Sequence, residues 1–173
     1  MRHFLTLALA LVPVAAQAQT ACPPGATPIL SCSFQNGAKW LTSCLDGDRA
    51  SYAFGKVGRA PDLTLSTAIT DLDYRPWPGV GSSIWEEVRF YNRDITYVLW
   101  DNYDKAAAVD EAQAAGAPDP LTAGIVVMRG EDQLARLECD PGSIDDRIDA
   151  IWPEKEIRGQ CWDYDAGVWG ACE

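Results

Sequence analysis

The sequence predicts a mainly β protein, a small antiparallel barrel or sandwich of about eight strands, with one or two short helices and a disulfide-stapled C-terminal strap. Short apolar or alternating runs recur through the middle of the chain and are separated by turn-forming residues, which is the pattern of an antiparallel sheet. The six cysteines are even in number and read as a disulfide framework. The remainder of the chain after residue 18 suits a single domain, 19–173.

Residues 1–18 read as a signal peptide. Arg2 supplies the positive start, Phe4 to Ala15 is an apolar run, and Ala16-Gln17-Ala18 matches a small-x-small cleavage site. The apolar run is shorter than the roughly 20 residues that span a bilayer, and no later run reaches that length, so no transmembrane segment is expected. The expected location is the periplasm or the exterior of the cell. Cleavage removes the only histidine, His3, and with it the usual Ser-His-Asp, Cys-His and His-ligated zinc chemistries. It also removes Arg2 from a chain whose formal net charge is already −11. Such a surface repels nucleic acid phosphates and speeds encounter with cationic partners.

Cys22, Cys32, Cys44, Cys139, Cys161 and Cys172 all lie in the exported part. Zinc is the rival use, but no pair has C-x-x-C spacing and no histidine completes a site, so no metal or other cofactor is expected. Six cysteines allow 15 pairings. The set preferred here is Cys22 with Cys44, Cys32 with Cys139 and Cys161 with Cys172, of which only the last is helped by local spacing.

The first hairpin joins Ile29–Phe34 to Lys39–Cys44 through Gln35-Asn36-Gly37-Ala38, since Asn-Gly readily takes the positive dihedrals of a tight turn. With Asn36 and Gly37 central, Phe34 faces Lys39 and Cys32 faces Leu41. Asp46-Gly47-Asp48 then turns the chain into Arg49–Phe54, and Asp62–Ala68 alternates with Leu63 and Leu65 on one side. Ile84–Tyr91 with Ile95–Asn102, and Ala123–Arg129 with Gln133–Cys139, bracket two further turns. Asp104 is placed to cap a helix from Lys105 to Ala115 that Gly116 ends. Ser143 is placed to cap a second helix from Ile144 to Trp152, stopped by Pro153. Glu154 to Glu173 lacks periodicity and reads as the strap.

Chemistry-bearing patterns are few. Glu86 and Glu87 are adjacent, and in a strand they point to opposite faces. Asp71 with Asp73, and Asp163 with Asp165, lack the full spacing of a calcium loop and read as solvated acids, which leaves a carboxylate-based hydrolase as a minor possibility. No Ser-x-x-Lys, Gly-x-Ser-x-Gly or phosphate-cradling glycine motif is present. Among the seven tryptophans, Trp77 stands apart because Arg75-Pro76-Trp77-Pro78-Gly79 cannot be an inner strand. On a loop, that ring is either a partner anchor or a lid folded back on the sheet.

The segment Ser31-Cys32-Ser33, the loop Gly79 to Ser83, the run Ile95-Thr96-Tyr97-Val98-Leu99-Trp100 and the closing Leu137-Glu138-Cys139 resemble, in order and spacing, the periplasmic and membrane-bound inhibitors of c-type lysozyme. The resemblance covers about Pro28 to Cys139 and implies a small β-barrel closed by Cys32–Cys139. It also implies that a serine-bearing loop and a nearby lysine enter the lysozyme cleft. Ser82 or Ser83 matches the serine, while Asp101-Asn102-Tyr103-Asp104-Lys105 stands where the family has its lysine motif. The expectation is therefore a non-catalytic binding protein, lysozyme-inhibitor-like or toxin-neutralising, with Arg75, Trp77, Ser82 and Ser83 facing a cationic cell-wall hydrolase. A carbohydrate- or peptidoglycan-binding module anchored on Trp77 is the alternative, and a structural envelope protein the third.

Overall fold

The computed structural model describes residues 21–111 and 119–172. The expected signal peptide and the expected end of the first helix at Gly116 lie outside the described residues. The chain forms two five-stranded antiparallel sheets and one two-stranded hairpin. The first sheet contains β1 (Thr27–Phe34), β2 (Lys39–Asp46), β3 (Arg49–Lys56) and β4 (Leu63–Ala68), with β10 (Asp145–Asp146) on its outer edge beside β1. The second runs in sequence order through β5 (Asp73–Arg75), β6 (Ser83–Asn92), β7 (Ile95–Asp104), β8 (Leu121–Arg129) and β9 (Asp132–Glu138). The sheets do not close into a barrel, so of the two expected architectures the layered one is observed.

Alternation along the strands explains the layering. Leu30, Phe34, Leu41 and Tyr52 from the first sheet meet Tyr74, Val88, Phe90, Leu99 and Ile125 from the second in one buried core. The Tyr52 ring lies 5.7 Å from Phe90 and 5.5 Å from Tyr97, directly across the interface. The first hairpin has the expected register, with Phe34 opposite Lys39 and Cys32 opposite Leu41. Its turn is clasped from outside: the Asp140 carboxylate accepts from the backbone N–H of Asn36 (2.9 Å) and Gly37 (2.7 Å) and from the Ser33 hydroxyl (2.8 Å). Those bonds, the one from Ser33 foremost, hold the Asp140 carboxyl below its usual range.

All three preferred disulfides are formed: Cys22–Cys44, Cys32–Cys139 and Cys161–Cys172. Cys32–Cys139 links β1 to the chain leaving β9, and so ties one sheet to the other. Helix α1 (Lys105–Glu111) is capped as expected, the Asp104 carboxylate accepting from the N–H groups of Ala106 (2.8 Å) and Ala107 (3.2 Å).

The expected helix over Ile144–Trp152 is not formed. Asp145 and Asp146 pair with Ser31 and Leu30 as β10, a 3-10 turn covers Ile148–Ala150, and α2 runs from Ile151 to Glu156. Pro153 sits in the first turn of α2, where its missing N–H costs nothing, instead of ending a helix. Ser143 caps nothing; its hydroxyl donates to Asp140 O (2.7 Å) and accepts from Ser33 N (3.1 Å). The strap is a hairpin of β11 (Gln160–Asp163) and β12 (Val168–Ala171), with Trp162 opposite Trp169 and the third disulfide beside it. Among the described residues no helix is long and apolar enough to cross a membrane.

Candidate functional site

The loop between β5 and β6 is built by two prolines and two glycines. Pro76 is buried, Trp77 half-buried, and Pro78 to Ser82 are exposed, with positive φ at Gly79 and Gly81 turning the chain. The Trp77 indole folds back on its own loop and donates to Val80 O (3.0 Å). Its ring carries the Lys105 ammonium 4.3 Å from the centroid. Lys105 also donates from Nζ to Gly81 O (3.1 Å) and from its backbone N–H to Ser82 O (3.2 Å). Ser83 pairs with Asp104 across β6 and β7, so the first turn of α1 is delivered to the loop by sheet register.

Trp77, Ser82 and Ser83 are thus brought together, and Lys105 joins them. Arg75 is not brought to the serines. It faces Glu87 in the register of β5 and β6, and lines a cleft of about 340 Å³ shared with Asp71, Lys155, Trp162 and Trp169. At the bottom of that cleft Lys155 is buried and donates to Ile69 O (3.0 Å) and Gln160 Oε1 (3.2 Å); burial lowers its pKa to about 8. Trp169 locks the hairpin down, its indole donating to Tyr74 O (2.8 Å).

One tyrosine and three carboxyls, Tyr74, Glu86, Asp101 and Asp146, form a chain drawn from four strands. The Tyr74 hydroxyl is bonded to Glu86, and the Glu86 backbone N–H donates to Asp101 Oδ1 (2.5 Å). Asp101 of the second sheet and Asp146 of the first lie near enough for each carboxyl to act on the other. Burial pushes Glu86 up to about 7, with Asp149 and Asp146 adding to it against the lowering bond from Tyr74. Asp101 and Asp146 are both raised, chiefly by burial, and Tyr74 is raised by burial and then by Glu86. The pair is a proton-sharing latch in the sense that two neighbouring carboxyls, Asp101 buried and Asp146 half-buried, repel when both ionise. Among the described residues no group of three or more acid, cysteine or histidine side chains is placed to hold a metal ion.

A third feature crosses the outer face of the second sheet. A groove of about 490 Å³, lined by Glu87, Arg89, Tyr91, Trp100 and Arg136 among others, continues into a second hollow of about 310 Å³ toward Trp85 and Asn102. Glu87 lies here while Glu86 points into the core, as alternation requires.

Sequence reasoning missed Lys105, the acid chain and the groove. The spacing from the Asp104 cap to Lys105 signalled a helix start but not its neighbour. Glu86, Asp101 and Asp146 lie on separate strands and meet only through tertiary structure. The comparisons return no matching family model, curated protein or solved structure. The class the geometry defines is therefore a two-sheet, mainly antiparallel β protein with three disulfides.

Proposed function

We propose that this is an exported, non-catalytic binding protein that uses the Pro76–Ser83 loop and Lys105 to enter an acid-lined cleft of a cell-wall hydrolase of the lysozyme type. The observation that carries the reading is the Lys105 ammonium, held against the serine loop by the Trp77 ring and the Gly81 carbonyl. It puts a cation and two hydroxyls at one tip of a chain whose net charge is −11. The acidic remainder steers a basic enzyme toward the molecule, and the cationic tip suits the carboxylates of its cleft. The resemblance to lysozyme inhibitors calls for a lysine near the serine, and Lys105 supplies one from a different local sequence. The three disulfides accord with an oxidising compartment.

The test is turbidity loss of bacterial cell walls by c-type, goose-type and invertebrate-type lysozymes, each with and without a molar excess of the protein. At least one enzyme is expected to slow, and more so at low salt. Lys105→Ala should weaken that inhibition by about tenfold or more, because truncating a desolvated charge partner costs about 2–5 kcal/mol. Arg75→Ala, opposite Glu87 and four residues along β6 from Ser83, should have a smaller effect. No slowing of any of the three enzymes overturns the reading.

A further inference from the structure

We propose that the outer face of the second sheet is a binding site for the sugar rings of a neutral glycan chain, laid across β6 to β9 over Trp100. The proposal is independent of the loop and of any hydrolase.

The floor of the groove is a tryptophan laid flat on a strand. A side chain at Gly124 would meet Trp100 Cζ2 at 3.0 Å and Leu137 O at 2.1 Å, so only glycine lets the indole lie this close to the backbone. Trp100 is only 8% exposed, although it sits on the outer face, and its indole N–H finds no acceptor among the described residues. The Arg136 guanidinium covers the ring, 4.0 Å from its centroid. A buried donor without a partner is costly, and a ligand hydroxyl that draws Arg136 aside gives it one.

The charges of the groove exclude a polyanionic ligand. Arg89 is paired with Glu87 and with Asp73 (3.5 Å), and Arg136 with Glu138 (3.6 Å). Two arginines stand against three carboxylates, so the groove offers no net positive charge to a polyanion, and its own ion pairs already engage each arginine. What it offers instead is donors and acceptors fixed in flat groups beside aromatic faces. That is the complement of a pyranose, whose apolar face stacks while its hydroxyls both donate and accept. Tyr91, 58% exposed, and the half-buried Trp85 stand on the same face of β6, six residues apart and so about 20 Å from each other. Trp100 lies between them, opposite Glu87. Such a span accommodates several linked rings rather than one.

Tryptophan emission and titration calorimetry on the whole protein test the proposal. The probes are neutral tetrasaccharides with β-1,4, β-1,3 and α-1,4 linkages, N-acetylated and not. At least one is expected to bind with an emission shift that high salt leaves unchanged. Trp100→Phe, which keeps a ring but removes the N–H, should weaken that binding by about tenfold, while Arg136→Ala, an exposed change that uncovers the ring, should not weaken it. Thr64→Glu, on the outer face of the first sheet, should not either. No response to any tetrasaccharide at millimolar concentration overturns the proposal, as does binding that survives Trp100→Phe at full strength. A concentration-dependent dimer abolished by Arg136→Glu, with no tetrasaccharide bound, also overturns it and assigns the face to a second copy of the chain.

Discussion

The two sheets are alike inside and opposite outside. Both turn aliphatic and aromatic side chains into one core. The outer face of the first carries Ser31, Ser33, Ser51, Ala53, Thr64 and Ser66, and its large side chains are tied down, Trp40 buried with its indole bonded to Lys56 O (3.2 Å) and Arg49 donating to Ser66 Oγ (2.8 Å). Ala21 and Pro23 lie along that face, anchored through Cys22–Cys44. The outer face of the second carries Trp85, Glu87, Arg89, Tyr91, Trp100 and Arg136 around an open groove. Packing dictates what points inward, but it does not require large, hydrogen-bonding side chains on a solvent face. Where most of them gather on one sheet, packing alone does not account for them.

The largest effect expected is from breaking the link between the sheets. Replacing Cys32 and Cys139 with serine opens a loop spanning a sequence separation of 107 and should cost about 4–5 kcal/mol in denaturant unfolding. Removing Cys161–Cys172, with a separation of only 11, should cost less, about 2–3 kcal/mol. A smaller loss for Cys32–Cys139 than for the hairpin bond would show that the sheets hold together without it.

Next comes a direct contrast of the two outer faces. Gly124→Ala pushes a methyl group into Leu137 O and the Trp100 ring, and should destabilise by about 2–3 kcal/mol. Thr64→Ala on the first sheet is exposed and should stay within about 0.5 kcal/mol. Equal effects would erase the distinction.

The acid latch gives a pH dependence with a definite sign. Glu86, Asp101 and Asp146 have raised folded-state pKa values, so the folded protein binds more protons than the unfolded chain. Their contribution is full below about pH 4 and is lost as pH rises, for Glu86 through about 7. Lys155 acts oppositely, adding stability only as pH climbs above about 8. Unfolding free energy should fall by about 1–3 kcal/mol between pH 5 and 8, and Asp146→Asn should flatten the slope. A stability that rises across that window would contradict the proton-sharing latch. The smallest effect is at the cap: Asp104→Ala should cost about 1 kcal/mol by thermal unfolding and loosen Lys105 from the serine loop, weakening hydrolase inhibition in parallel.

Local chemistry made much of this fold legible. The Asn36-Gly37 turn, the alternation of Leu63 and Leu65, the Asp104 cap and the Cys161–Cys172 pair act over short range, and each appears as expected, while Cys22–Cys44 and Cys32–Cys139 formed as preferred without help from local spacing. Pro153 misled because proline is acceptable at a helix start as well as decisive at its end, and only the pairing of Asp145 and Asp146 with β1 settles which. β5, β11 and β12, of three or four residues each, are too short for any period to show. Of the candidate site, Trp77, Ser82 and Ser83 were visible as a loop, whereas Lys105 joins them by register and Arg75 stands opposite Glu87, four residues along β6 from Ser83.

The most direct test of the contrast between the faces is a two-dimensional NMR record of the tryptophan indole N–H resonances during titration with the neutral tetrasaccharides. Trp40 reports on the first sheet, Trp85 and Trp100 on the second, and Trp77 on the loop. Shifts confined to Trp85 and Trp100, with Trp40 and Trp77 unmoved, are the predicted result. Movement of Trp40 in their place, or no movement at any indole, would contradict the assignment of the second sheet's outer face as the working surface.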